Sequence, residues 1–211
     1  PDVSVSRISF TGRSAAGTGA GMNDYSRAII DAYIDASTRE LFRSCGIEVF
    51  AAPEGAQGPE SPFAATIGFT SGPIPGFLIL ALDRGLAERS LPASLRLAAA
   101  EDEIVADWTG ELSNQLLGRL KTRFARVGID VELSTPVTFV GKDLRHFSNP
   151  SLLRTMLRFE ESSGGPPFFV ELQGDCPPGF EIGPELGSDV EGAEEGEVQL
   201  FLGAAPGFFC R

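Results

Sequence analysis

One stretch, DEIVADWTGELSNQLLGRLKTRFARV from Asp102 to Val127, limits what this chain can become more than any other. Its apolar residues recur at helical spacing, and Gly128 follows, where a glycine commonly closes a helix. Wound at about 3.6 residues per turn, it places Val105, Trp108, Leu112, Leu116, Leu117, Leu120, Phe124 and Val127 on one broad apolar face. Asp107, Glu111, Asn114 and Gly118 fall within about 60° of arc on the opposite side. The apolar face needs a sheet to lie on. The other face offers a carboxylate and a carboxamide three residues apart, with a glycine one turn beyond that leaves the surface bare. Groups three and four apart are neighbours on a helix and can act on one partner together.

Around this helix the chain has 211 residues, 42% of them hydrophobic, enough for one domain with a real core and extra termini. The formal net charge of -12 argues against nucleic acid and against anionic membrane surfaces, both of which favour a basic patch. No apolar run is long enough to span a bilayer, and no basic start with an apolar middle marks a signal peptide. The first residue is Pro1 rather than Met, which fits a trimmed chain or a piece of a longer one. Cys45, Cys176 and Cys210 have no metal-ligand spacing, and their odd number fits a reducing cytoplasm better than a disulfide framework. His146 is the only histidine, so any Ser-His-Asp or Cys-His device would have to use it; a lone histidine in a polar loop is ordinary.

Residues 1–21 end in GRSAAGTGAG and read as a flexible arm after one short strand, VSVSRISF. The glycine run from Gly17 lacks the Gly-Lys-Ser/Thr ending of a phosphate loop. Asn23 or Asp24 caps a first helix that runs to about Cys45, with Gly46 as its stop and Ile30, Ile34, Leu41 and Phe42 as its core stripe. GIEVFAAP (46–53) reads as a strand. FAATIGFT and GFLILAL form a hairpin around SGPIPG, and the nearly all-apolar second strand suits a central place in a sheet. DRGLAERSL is a short helix. After Gly128, IDVELS alternates as a strand, Pro136 marks an edge, a bulge or a turn, and PVTFVG follows. LLRTMLRFEE and PPFFVELQ are two more strands joined through SSGG. This order implies an α+β domain over residues 22–174, a two-layer sandwich of helices on a largely antiparallel sheet. Residues 175–211 are an acidic, Gly/Pro-rich extension that reads as a solvated tail, although VQLFLG (198–203) and Phe208-Phe209 are apolar enough to add an edge strand or dock.

The pattern Asp107-x-x-x-Glu111-x-x-Asn114, with Gly118 one turn later and Pro136 after the next strand, resembles the CheC/CheX/FliY family of chemotaxis phosphatases, CheX above all. GELSNQLLGRLK, GIDVELSTPVTFVG and IGFTSGPIPGFLILAL stand in the family's order, and the resemblance covers about residues 22–174. It implies a cytoplasmic enzyme that removes the phosphoryl group from the aspartate of a phosphorylated CheY-like response regulator. Asn114 would orient the attacking water. Glu111 would pair with the regulator's active-site lysine. Asp107 would dock or position the helix, Gly118 would let the partner's surface approach, and Pro136 would shape the neighbouring backbone. CheC and FliY carry two such sites; this chain shows one, the CheX-like count, which implies a homodimer formed through the sheets. The resemblance implies no cofactor of the chain's own, the magnesium of the reaction belonging to the regulator.

The rival class is a non-catalytic adaptor or dimerisation module that binds a signalling partner with the motif intact. A small-molecule sensor has no supporting constellation in the sequence.

Overall fold

The computed structural model describes residues 22–53, 56–60, 62–72, 74–96, 101–142, 152–177 and 179–183. The strand expected in VSVSRISF, His146, the VQLFLG segment, Phe208-Phe209 and Cys210 lie outside them.

Helix α1 (Asp24–Ser44) begins where Asn23 caps it, its Oδ1 accepting from the Ser26 backbone N–H at 2.7 Å. It ends at Gly46, whose φ of 77° lets the N–H groups of Gly46 and Ile47 turn back to the carbonyls of Arg43 and Phe42. Helix α3 (Asp102–Ala125) closes in the same way, with Gly128 at φ 75° and Ile129 N–H donating to the Phe124 carbonyl. Both glycine stops therefore act as local sequence chemistry predicts. Between them, α2 (Arg84–Ser90) starts on Asp83, whose carboxylate accepts from Gly85 N–H at 2.8 Å.

The strands are β1 (Val49–Ala51), β2 (Phe63–Thr70), β3 (Gly76–Leu82), β4 (Glu132–Leu133), β5 (Val137–Val140), β6 (Leu153–Glu161) and β7 (Phe168–Gly174). They form one sheet in the order β1-β6-β7-β3-β2-β4, with β5 also on β2, and every pairing is antiparallel. The apolar β3 is interior, as its sequence predicts. Helices α1 and α3 lie on one face. Ile30, Ile34, Leu41 and Phe42 of α1 meet Leu112, Leu116, Leu117 and Leu120 of α3 and Leu78, Leu80, Phe159 and Phe168 of the sheet, all fully buried. Phe168 anchors this core, its ring 4.8 Å from Phe42 and 5.4 Å from Phe159 between centroids. The architecture is the expected helix layer on an antiparallel sheet.

Two strands are shorter than expected. Only Val49–Ala51 of the 46–53 stretch pairs, because Gly46 and Ile47 are spent closing α1. Only Glu132–Leu133 of IDVELS pairs, for the same reason at the end of α3, although Ile129 and Val131 still point into the core. Pro136 lies at a bulge. Leu133 faces Phe69 and Val137 faces Thr66, so four steps along the edge answer three on β2. A residue without a donor fits where the ladder is already broken.

Opposite the helices, Ala64, Ile79, Ala81 and Phe169 form a smaller cluster beside Glu171. Glu171 is 1% exposed and takes a two-pronged contact from Arg154, at 2.5 and 3.1 Å. The first residues after β7 pack on the domain. Ile182 is buried and its N–H donates to Ser26 Oγ at 2.8 Å, while Cys176 and Phe180 lie against the core. Among the described residues, no helix is long and apolar enough to cross a membrane.

Candidate functional site

Helix α3 has a dry back and a polar front. Val105, Leu112, Leu116, Leu117, Leu120 and Phe124 are buried as the helical period predicts, and Trp108 and Val127 pack against the same core. The Trp108 indole N–H reaches Ser90 Oγ at 2.9 Å, so the ring sits in the core margin without an orphaned donor. On the front, Asp107 is exposed, and Glu111, Asn114 and Gly118 are half-buried. The structure thus brings Asp107, Glu111, Asn114 and Gly118 together along one accessible ridge.

The ridge is braced on both flanks. On one side α3 packs against α1. Arg119 donates from Nη2 to Ser44 Oγ at 3.3 Å, and Arg123 donates from Nε to Ser37 Oγ at 3.0 Å while pairing with Glu40. On the other side lie Pro136 and β5. A Cβ built on Gly110 would stand 3.1 Å from Thr138 Cγ2 and 3.7 Å from Pro136 Cγ, so the glycine lets the bulged edge strand press onto the helix just before Glu111. Pro136 is therefore separate from the ridge residues. It meets α3 from the flank, one turn before Asn114.

The two amide-bearing residues on this ridge differ in their restraints. Gln115 Nε2 donates to Glu111 Oε1 at 2.9 Å. Among the described residues nothing hydrogen-bonds the side chain of Asn114. Nor does Glu111 form an ion pair there, so its charge is left to face outward. Gly118 is different again. A Cβ there would meet nothing within 4 Å, and the backbone is ordinary helix. Glycine inside a helix costs roughly 1 kcal/mol relative to alanine, and no contact within the described chain explains it.

Chemically, the ridge presents a carboxylate that can attract a cation, a carboxamide that can donate and accept at once without changing charge, and a gap beside them. Among the described residues, no group of three or more His, Cys, Asp or Glu side chains is placed to hold a metal ion. The sequence reading missed Gln115, Arg119, Gly110 and Thr138. Gln115 had a signal, standing four residues after Glu111 on one helix face. Gly110 had none, since the strand that covers it is distant in sequence.

Residues 63–154, from β2 through α3 and Pro136 to the first residues of β6, match the family described as chemotaxis phosphatase CheX. Solved structures agree in fold. CheX from Desulfovibrio desulfuricans is 15% identical over 69% of this chain and 98% of its own, with a TM-score of 0.55. CheX from Vibrio vulnificus is 22% identical, with the same coverages and TM-score. CheX in the CheX-CheY-BeF3-Mg2+ complex from Borrelia burgdorferi is 17% identical over 69% of this chain and 96% of its own, with a TM-score of 0.52. A comparison with curated proteins finds no match.

Proposed function

We propose that this chain, whose residues 63–154 match the CheX family, removes the phosphoryl group from the aspartate of a phosphorylated CheY-like response regulator. The supporting observation is the ridge itself. Among the described residues nothing hydrogen-bonds the Asn114 side chain and no neighbour of Gly118 requires a glycine there, so both positions make sense toward a second protein. A complex of CheX with CheY is known for the Borrelia relative.

In this reading Asn114 enters the regulator's active site and orients the attacking water with its carboxamide. Loss of a phosphoryl group needs little covalent help, so placement of the water supplies most of the effect. Glu111 meets the regulator's active-site lysine and sets the register of the helix. Asp107, at the exposed start of the ridge, adds to docking. Gly118 admits the partner's surface, and Pro136, wedged on Gly110, fixes how far the edge strand stands from the ridge. The protein acts in the cytoplasm, in chemotaxis or a related two-component pathway. It needs no cofactor of its own, the magnesium sitting in the regulator's acidic pocket.

The reaction is tested by loading a CheY-like regulator with a small phosphodonor and magnesium, then following phosphoryl loss with substoichiometric amounts of this chain. Faster loss with turnover supports the phosphatase. Binding without acceleration leaves the adaptor.

Gly118→Ala separates partner contact from folding. The chain should gain up to about 1 kcal/mol of stability from helix propensity, while affinity for the regulator falls by about tenfold through crowding at the contact. Thermal unfolding and titration of a beryllofluoride-activated regulator read the two effects. Unchanged affinity would remove Gly118 from the interface.

The same proposal extends to a homodimer. Among the described residues strand β5 pairs only with β2, and Val137, Phe139 and Val140 are 56%, 48% and 46% exposed. An apolar edge of this kind needs a cover or a pairing partner. Phe139→Lys should convert the dimer to monomer in sedimentation velocity, and a wild type that is monomeric at the same concentration would end the dimer proposal.

A further inference from the structure

We infer that Gln115 is a positioning residue that presets Glu111 for a single incoming cation; the inference rests on the proposed reaction. Glu111 offers two carboxylate oxygens. Gln115 Nε2 occupies one of them, Oε1, at 2.9 Å, which restricts the carboxylate's rotation and leaves the second oxygen open. Because the donor is a neutral amide, it orients the carboxylate without cancelling its charge. A lysine or arginine at position 115 would instead form the familiar helix ion pair four residues along and quench the charge that docking needs.

The cation one turn beyond Gln115 is diverted. Arg119 donates from Nη1 to the Gln115 carbonyl at 3.2 Å and from Nη2 to Ser44 Oγ on α1 at 3.3 Å. Its guanidinium is thereby spent on the backbone and the neighbouring helix. Glu111 keeps its charge, and keeps it in one orientation. Ordering a group before the partner arrives reduces what association loses in side-chain freedom. Among the described residues Asn114 has no such tether, so in this arrangement the docking group is preset and the water-positioning group is seated by the partner. Gln115 itself touches no reacting atom.

The experiment measures KM and kcat for phosphoryl loss from a CheY-like regulator loaded with acetyl phosphate and magnesium. Wild type, Gln115→Met, Glu111→Ala and the double variant are compared. Methionine keeps the length of the side chain and removes the donor; Gln115→Ala is the second variant, guarding against poor packing of methionine. Gln115→Met should raise KM about fivefold, the worth of one modest hydrogen bond, with kcat little changed. In the Glu111→Ala background the same substitution should do nothing further. A fall in kcat at constant KM, or an equal rise in KM with and without Glu111, would overturn the assignment. Wild type that fails to hasten phosphoryl loss sinks the phosphatase reading instead. The Gln115 carboxamide resonances of the free chain read the tether independently, and Glu111→Gln leaving them unmoved would also overturn it.

Discussion

Asn114→Ala should slow dephosphorylation about 10²-fold, the usual cost of losing one well-placed polar group around a reacting centre, and leave regulator binding almost intact. The expectation follows from what the side chain lacks as much as from what it offers. Nothing among the described residues hydrogen-bonds it, so its removal breaks no internal network and the thermal transition should stay in place. Its amide cannot take up a proton at neutral pH, so in the proposed reaction it would align water and could not act as a base. A 10²-fold loss corresponds to about 2.7 kcal/mol of transition-state stabilisation, far beyond what the same half-buried residue contributes to folding. In the proposed reaction binding falls to Glu111, with Gln115 behind it at 2.9 Å, so affinity and turnover should separate. The measurement is single-turnover decay of the phosphorylated regulator at saturating enzyme, beside equilibrium binding of the beryllofluoride form. An alanine variant as fast as wild type would dismiss water positioning by Asn114, whatever else the ridge does.

How much of this arrangement could be seen in the sequence depends on how far each feature reaches along the chain. The stops at Gly46 and Gly128 are local, each needing one residue at positive φ and two backbone bonds, and both are as expected. The dry face of α3 follows from one period, and the interior place of β3 from an unbroken apolar run. The burial of Thr109, Gly110 and Ser113 was not visible. Thr109 and Ser113 share the arc of the apolar face, so only their polar letters hid them, whereas Gly110 is covered because Pro136 and Thr138 arrive from a segment twenty-six and more residues on, and no helical period encodes that approach. The same holds for Glu171. A carboxylate in PPFFVELQ reads as the polar side of an alternating strand, yet it is 1% exposed because Arg154 reaches it diagonally from β6. At the ridge, identities were visible but restraints were not. Glu111 and Asn114 look equivalent in a string of letters; only the folded chain distinguishes a carboxylate held by its neighbour from a carboxamide left open.

The second large effect concerns the sheet that carries the ridge. Gly76 opens β3 where that strand runs beside the end of β7, and a Cβ there would stand 2.0 Å from the Gln173 carbonyl oxygen and 2.7 Å from Gly174 Cα. Both obstacles are backbone, so no side-chain rotamer relieves the overlap. Gly76→Ala must force the two central strands apart at the point where Asp175 N–H also donates to the Pro75 carbonyl at 2.8 Å. Overpacking in a close-packed interior costs about 1–3 kcal/mol, and a backbone obstacle belongs at the top of that range. For a chain of this size the midpoint of thermal unfolding should fall by roughly 6–12 °C. Gly72 provides the control, since a Cβ there meets nothing within 4 Å and Gly72→Ala should change little. The functional consequence differs in kind from that of Asn114. The clash sits at the first residue of β3, whereas Leu78 and Leu80, further along the strand, are the residues that share a core with Leu116 and Leu117 of α3, so the displacement is kept away from the ridge. At temperatures below its transition, Gly76→Ala should therefore retain turnover per folded molecule. Activity lost ahead of the unfolding signal would show instead that the strain reaches Glu111 and Asn114 through α3.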